Sequence, residues 1–249
     1  MRHVIAVFGM MILAGAISLG QATPATKAAP AKPATTTAKP AASGSGQPTA
    51  IIDTTAGKMT CTLFPDKAPI GVANFIGLSS GTKDWKSPTG ATKHGVPLYD
   101  GTIFHRVIPQ FMIQGGDPAG TGSGRDPIQP FKNETSKDLL FDKPGRLAYA
   151  NAGPGTNTSQ FFITEVAFTG QQASMLNGNY TIFGQCDDPS VALVKQIAAM
   201  NRDSNDRPYR PIKINHISIQ KAGATAKPAT TPVKKPAAGT TSKPATAPK

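Results

Sequence analysis

Between residues 50 and 220, apolar and β-branched side chains recur in short runs that are interrupted by Gly, Pro, Asn and Asp. Short runs of this kind, bounded by turn-forming residues, are typical of β-strands. The pattern predicts eight strands, which lie at Ile51–Thr54, Met59–Phe64, Thr102–Ile108, Phe111–Gly115, Arg146–Ala150, Phe161–Thr164, Thr181–Gln185 and Ile212–Ile219.

Two segments of the same region have the character of helices. Ala68–Ser80 has Pro69 in its first turn and is followed by Gly81, which are typical start and stop residues. Val191–Met200 repeats apolar residues at helical spacing. Many short strands with two helices favour one domain, residues 50–220, built as a closed barrel or a sandwich.

The first 22 residues differ from this domain and predict an export signal. Arg2 precedes an apolar run, Val4–Gly20, and small residues follow, with Gly20 and Ala22 placed as a cleavage site requires. The alternative is an anchor that is not cleaved, since the apolar run is long for a signal core and short for a membrane span. An export signal places the protein in a periplasm or a comparable compartment outside the cytoplasm.

Residues 23–49 and 221–249 flank the domain with segments built mainly from Ala, Pro, Thr and Lys. Both contain the sequence Ala-Lys-Pro-Ala-Thr, at 31–35 and at 226–230. Segments with so few large apolar side chains cannot offset the entropy lost on ordering, so both are predicted to be disordered. They would act as spacers, or would attach weakly and in a salt-sensitive way to an anionic envelope surface.

Most of the net positive charge of the chain lies outside the domain, mainly in these flanking segments. The formal net charge is +12, but all 14 acidic residues and 16 of the 26 basic residues lie between positions 50 and 220, so the domain itself carries +2. No nucleic-acid partner is therefore expected: the domain is nearly neutral, and the export signal argues against the basic flanking segments meeting nucleic acid. With 23 Pro, 25 Gly and only 16% charged residues, the composition also excludes a coiled coil or a helical bundle.

Cysteine and histidine provide no metal site in the sequence. Cys61 and Cys186 each lie in an apolar, strand-like run, where they would form either a disulfide or two buried thiols. The four histidines are scattered, without the spacing of metal ligands. No metal and no cofactor are expected.

Two segments carry residues that ordinary strands do not need. Phe104–Asp117 places an arginine in an otherwise apolar strand, turns at a proline and returns with Phe, Met and Gln. Ala150–Ile163 is a loop of small residues that leads into a strand carrying Gln160 and Phe162. If these strands pair, their side chains would line an apolar groove that contains one cation and several amides.

On these two segments the sequence resembles the cyclophilins, a family of peptidyl-prolyl cis–trans isomerases, and the resemblance extends from about Ile51 to Ile219. It implies a mainly β fold, a closed eight-stranded antiparallel barrel capped by two helices, with the active groove on its outer side. It also implies roles for individual residues. Arg106 would be catalytic, Phe111, Met112, Phe162 and Leu176 would form a proline pocket, and Gln114, Ala150, Asn151 and Gln160 would hold the substrate backbone.

The sequence departs from the family near the pocket. Where the family often has Trp-Leu-Asp-Gly followed by a His, this chain has Met175 for the Trp and Tyr180 for the His. Both replacements would keep an apolar or aromatic wall, but the missing Trp argues against tight binding of cyclosporin. The stretch Lys83–Pro97, which contains Trp85, is an insertion relative to shorter members of the family and has no assigned role.

The sequence therefore predicts an exported, monomeric prolyl isomerase that acts on proline-containing segments of unfolded or newly exported chains. Rotation about an X–Pro bond needs no nucleophile and no metal, only a group that stabilises the twisted amide, and an arginine is a permanently charged donor. Two alternatives remain: a module or holdase that binds proline segments without turnover, and an envelope scaffold in which the flanking segments carry the function.

Overall fold

The computed structural model describes residues 46–221. The predicted export signal, nearly all of the linker at 23–49 and the segment 222–249 lie outside the described residues. Within residues 46–221 there are ten strands and three helices. In chain order they are β1 Thr49–Thr54, β2 Gly57–Leu63, α1 Pro69–Ser80, β3 Trp85–Lys86, β4 Thr92–Lys93, β5 Arg106–Ile108, β6 Met112–Gly115, β7 Arg146–Tyr149, β8 Phe161–Thr164, α2 Gly170–Leu176, β9 Ile182–Cys186, α3 Asp188–Ala198 and β10 Ile214–Gln220.

Eight strands form one antiparallel sheet in the order β10-β1-β2-β9-β7-β8-β6-β5. Each of the eight predicted strands falls on one of these, although the expected strand at Thr102–Ile108 is regular only from Arg106 onward. The sheet curls around an apolar core that contains the fully buried side chains of Phe75, Tyr99 and Phe161. The prediction of a mainly β fold is therefore confirmed.

The prediction of a closed barrel is wrong, because the sheet is a curled half-barrel. Its two edge strands, β5 and β10, do not pair along their length in the described part of the chain. The chain just before β5 instead meets the start of β10 through one isolated bridge, Ile103 to Lys213, flanked by backbone hydrogen bonds such as Phe104 N to Ile212 O at 3.0 Å. The N–H of Thr102 donates to the Tyr99 carbonyl in a turn, whereas its carbonyl accepts from the N–H of Ile214 at 2.8 Å, so the two edges meet through individual hydrogen bonds and not through a regular ladder.

The described residues contain three helices rather than the two that were predicted. Helices α1 and α3 confirm the predicted segments, and α1 ends at Ser80 with Gly81 as its C-cap, whose φ of 72° favours glycine. Helix α2 has only seven residues and buries only Leu176. Half of its other six residues are polar, and the helix is too short for an apolar periodicity that would have predicted it. None of the helices between residues 46 and 221 has the length and apolar character needed to span a bilayer.

The insertion at Lys83–Pro97 folds back on the domain as a small hairpin. Strands β3 and β4 pair within it, and neither was predicted. Trp85 is 9% exposed, and its indole N–H donates to the Val96 carbonyl at 2.8 Å. The only tryptophan therefore anchors the insertion by burial and by one hydrogen bond.

Strands β5 to β8 are covered on both faces, which is what allows a groove to form outside the main core. Val107, Ile113, Ile163 and Leu147 lie opposite one another across these strands and are fully buried in the main core. Because successive side chains of a strand point to opposite faces, the residues beside them point away from that core. There a second apolar cluster forms, which contains Met112, Phe141, Ala148, Phe162, Phe168, Leu176 and Ile182.

Cys61 and Cys186 form a disulfide, which decides between the two states that the sequence left open. The two residues lie directly opposite each other in the β2–β9 ladder, and both are buried. The bond joins positions that are separated by 125 residues in sequence. It therefore links the first hairpin of the domain to one of its last strands.

Removal of this cross-link should destabilise the domain without altering its fold. Compared with the oxidised wild type, the Cys61→Ala/Cys186→Ala variant should lose about 2–4 kcal/mol in free energy of unfolding, because the bond restricts a long loop in the unfolded chain. Urea unfolding measures the difference, and reduced wild type separates loss of the bond from loss of the sulfur atoms. Equal transition midpoints for oxidised and reduced wild type would contradict the prediction.

Candidate functional site

Antiparallel pairing sets four side chains in a row on the outer face of the sheet. Arg106 on β5 lies opposite Gln114 on β6, which lies opposite Phe162 on β8, which in turn lies opposite Ala148 on β7. Directly paired residues share one face of a sheet, and their Cβ atoms lie close together. The register thus places one cation, one amide and one aromatic ring side by side.

Three members of this row, all but Ala148, line a cavity of about 190 Å³. The sequence-predicted site residues meet there, all but two of them in its lining. The lining consists of Arg106, Phe111, Met112, Gln114, Ala150, Asn151, Phe162, Leu176 and Tyr180. Residues from three strands, one helix and three loops are therefore brought to one small cavity.

The two predicted residues outside the lining are Gln160 and Met175. Gln160 lies next to the cavity, since its side-chain oxygen accepts a hydrogen bond from Gln114 at 2.9 Å. Met175 is 64% exposed, and the structure does not place it in the lining. Consecutive helical residues point in different directions, so α2 can turn Leu176 inward only by turning Met175 outward. The expectation that Met175 forms part of the wall is not met.

Aromatic contacts build the apolar floor of the cavity. The ring of Phe162 stacks on Phe141 with centroids 5.8 Å apart and meets Tyr180 edge to face at 5.6 Å. Phe111 meets Phe168 at 5.4 Å. Phe141 and Phe168 were missed by sequence reasoning, because each is a single aromatic residue in a loop and carries no pattern of its own.

A buried carboxylate holds the turn between β5 and β6. Glu165, which is 6% exposed, accepts a hydrogen bond from the backbone N–H of Gln110 at 2.7 Å, and its own N–H donates to the Phe111 carbonyl at 2.9 Å. Gln110 has a φ of 60°, so the turn includes a left-handed residue that this clamp supports. Glu165 thereby fixes where Phe111 enters the cavity.

The amides at the rim are held by hydrogen bonds of their own. Gln114 donates to Gln160, which donates in turn to the Gly122 carbonyl at 3.2 Å. The Asn151 amide nitrogen donates to the Asn179 carbonyl at 3.0 Å, and its oxygen accepts from the N–H of Gly153 at 3.1 Å. Both Gln114 and Asn151 are half-buried, so they present oriented polar groups to a ligand in the cavity.

Arg106 is the only cation in the lining, and its side chain is 43% exposed. Its Nε atom lies 3.6 Å from Oδ2 of Asp206, a residue that no motif singled out. The preceding residue, His105, points away from the cavity and is buried, and burial lowers its pKa. His105 is therefore neutral at physiological pH and adds no second charge beside Arg106.

Within residues 46–221, no group of three His, Cys, Asp or Glu side chains is arranged to hold a metal ion. An apolar slot of this size fits a small ring, the amides fit an extended peptide backbone, and the guanidinium fits an electron-rich atom between them.

Comparison with known proteins agrees with this architecture. Residues 49–219 match the family model described as "Cyclophilin type peptidyl-prolyl cis-trans isomerase/CLD". The chain is 48% identical over 172 residues to peptidyl-prolyl cis-trans isomerase A of Mycobacterium tuberculosis, which covers 69% of this chain and 91% of that protein.

Solved structures give the same result. A cyclophilin type peptidyl-prolyl cis-trans isomerase of Cryptosporidium parvum matches with a TM-score of 0.59 and 33% identity, over 71% of this chain and 99% of that one. The same protein in the presence of the dipeptide Ala-Pro matches with a TM-score of 0.57, 33% identity and coverage of 70% and 99%. The chain thus belongs to the cyclophilin-type family, and it is a peptidyl-prolyl cis–trans isomerase.

Proposed function

We propose that this isomerase turns the X–Pro bond by placing the proline ring in the apolar cavity beneath Arg106, whose guanidinium donates to the prolyl nitrogen. The observation that carries the proposal is that the cation and the apolar residues Phe111, Met112, Phe162 and Leu176 line the same small cavity. The amides of Gln114 and Asn151 at its rim hold the peptide backbone on the N-terminal side of the bond.

The nature of the barrier explains why such a site is sufficient. Rotation about a peptide bond costs about 18–20 kcal/mol because amide resonance must be broken. For X–Pro bonds the two isomers differ by only about 0.5–1 kcal/mol, so only the barrier has to be lowered. In the twisted state the nitrogen regains its lone pair and becomes a better acceptor than in either planar state. A donor directed at that nitrogen therefore stabilises the transition state selectively.

The guanidinium accounts for part of the acceleration. A hydrogen bond to a charged group contributes about 1.5–3 kcal/mol, which corresponds to roughly 10- to 150-fold in rate. The rest comes from the cavity. The apolar slot and the amides at its rim position the two sides of the X–Pro bond so that one side can turn while the other is held, and a partly desolvated amide favours the less polar twisted state.

Removal of the guanidinium should reduce turnover far more than it reduces stability. For Arg106→Ala we expect kcat/KM to fall about 10- to 150-fold in a protease-coupled assay on a short X–Pro peptide, because one charge-assisted hydrogen bond is lost. The matched control is Arg210→Ala, which removes an exposed arginine outside the cavity. If Arg106→Ala turns over as fast as wild type, the proposed role of Arg106 is wrong.

The pH dependence separates this mechanism from acid–base catalysis. The mechanism uses no group that gives up or takes a proton, and burial lowers the pKa of the neighbouring His105 from its usual 6.5, so this histidine does not change its charge as the pH rises from there. We therefore expect kcat/KM of wild type to be flat from about pH 6.5 to about pH 8.5. A stopped-flow series over this range measures it. A bell-shaped profile would require a proton-transfer group and would contradict the mechanism.

We further propose that the protein works outside the cytoplasm on unfolded or newly exported chains. Two features support this location: the apolar run at residues 4–20, and the disulfide between Cys61 and Cys186, since such bonds persist in oxidising compartments. N-terminal sequencing of protein purified from the producing cells tests it. A mature chain that starts just after Ala22 is expected, whereas an intact N-terminus in the cytoplasmic fraction would contradict export.

A further inference from the structure

We propose that Asp206 is a positioning residue for Arg106, which holds the guanidinium by its Nε atom so that the two terminal nitrogens face the proline cavity. This inference rests on the role proposed above for Arg106. It adds a residue that lies outside the cavity lining and far from Arg106 in sequence, in the loop between α3 and β10.

The contact between the two residues is specific in its atoms. Oδ2 of Asp206 lies 3.6 Å from Nε of Arg106, and within residues 46–221 the terminal nitrogens of Arg106 donate no hydrogen bond. This ion-pair distance is longer than a hydrogen bond, so the carboxylate biases the orientation of the guanidinium electrostatically and leaves its outer fork available for an acceptor. The geometry thus keeps the donors for the substrate free and fixes the direction in which they point.

The second oxygen of the same carboxylate binds another cation. Oδ1 of Asp206 accepts from Nε of Arg202 at 3.2 Å. One acid shared between two arginines leaves the cluster with a net positive charge, so Asp206 orients Arg106 without cancelling the potential that the cavity offers to the prolyl nitrogen. Arg202 in turn limits how far the carboxylate can move.

Asp206 is itself fixed to the strand that carries Arg106. Its carbonyl accepts from the N–H of Val107, the next residue of β5, at 2.9 Å. Its φ is 62°, a left-handed conformation in which glycine is cheaper than aspartate. An aspartate in this conformation is strained, and its side-chain contacts to the two arginines offset that strain.

The loop around Asp206 is well braced. Oδ1 of Asp203 accepts from the N–H groups of Asn205 at 2.8 Å and of Arg207 at 3.0 Å. The Arg207 side chain donates to the Gly120 carbonyl, which ties this loop to a neighbouring one. The carboxylate of Asp206 is therefore presented by a rigid support, as preorganisation of Arg106 requires.

The test replaces the carboxylate with its neutral isostere, Asp206→Asn, because Asn tolerates the left-handed conformation. The ion pair is partly exposed, so we expect kcat/KM to fall by about two- to fivefold at low salt, mainly in kcat, and the loss to shrink as salt screens the pair. Asp138→Asn is the matched control, since Asp138 is an 83% exposed acid whose nearest cation, Lys67, is 3.9 Å away. The control should match wild type.

A double-mutant cycle separates positioning from a structural effect. In the Arg106→Ala background, assayed at higher enzyme concentration, Asp206→Asn should cause no further loss, because there is no guanidinium to position. The Arg106 Nε–H resonance in nitrogen-15 NMR gives a readout that does not depend on turnover, and it should shift and broaden in Asp206→Asn.

The possible outcomes are distinct. Equal losses from Asp206→Asn in both backgrounds would make Asp206 a structural residue and overturn the inference. No loss from Asp206→Asn, together with a large loss from Arg106→Ala, would overturn the inference and leave the proposed function standing. Wild-type activity in Arg106→Ala would overturn the proposed function itself, and the role of Asp206 with it.

Discussion

The site depends on the antiparallel register of β5, β6 and β8. That register sets Arg106 opposite Gln114 and Gln114 opposite Phe162, while the residues between them enter the main core. A shift of one residue would turn Arg106 into the apolar core and Val107 into the groove, at the cost of burying a charge. The hydrophobic pattern that folds the domain is therefore also what keeps the cation at the cavity.

The second apolar cluster makes the groove apolar. Half-buried strands normally show polar residues on their outer face, but β7 and β8 are buried on both faces. The outer face packs against Phe141, Phe168 and Leu176, which come from loops and from the short helix α2. These elements have little structure of their own, and their apolar side chains are ordered because the sheet offers a surface to cover. The cavity beside Arg106 is the part of that surface which they leave uncovered.

The sequence predicted the residues that lie within continuous motifs, but not the residues whose role depends on a partner distant in the chain. The strands and nearly all cavity residues were predicted, because they lie in two continuous motifs with unusual composition. Sheet closure was predicted wrongly, since pairing between β5 and β10 depends on the course of the chain before Arg106. Glu165 and Asp206 were missed because a single acid gives no sequence signal of which backbone group or arginine it will meet.

The open edge of the sheet explains why Arg106 needs support from outside it. β5 is an edge strand, paired only with β6 in the ladder, so no neighbouring strand fixes the other side of Arg106. The loop that carries Asp206 takes that place. The Asp206 carbonyl accepts a hydrogen bond from the N–H of Val107, and the Asp206 carboxylate forms an ion pair with Nε of Arg106. Unpaired edges are normally covered or blunted, and here the covering segment also supplies the counter-ion. One loop thus closes the edge and orients the cation, which a fully closed barrel would have had to achieve by separate means.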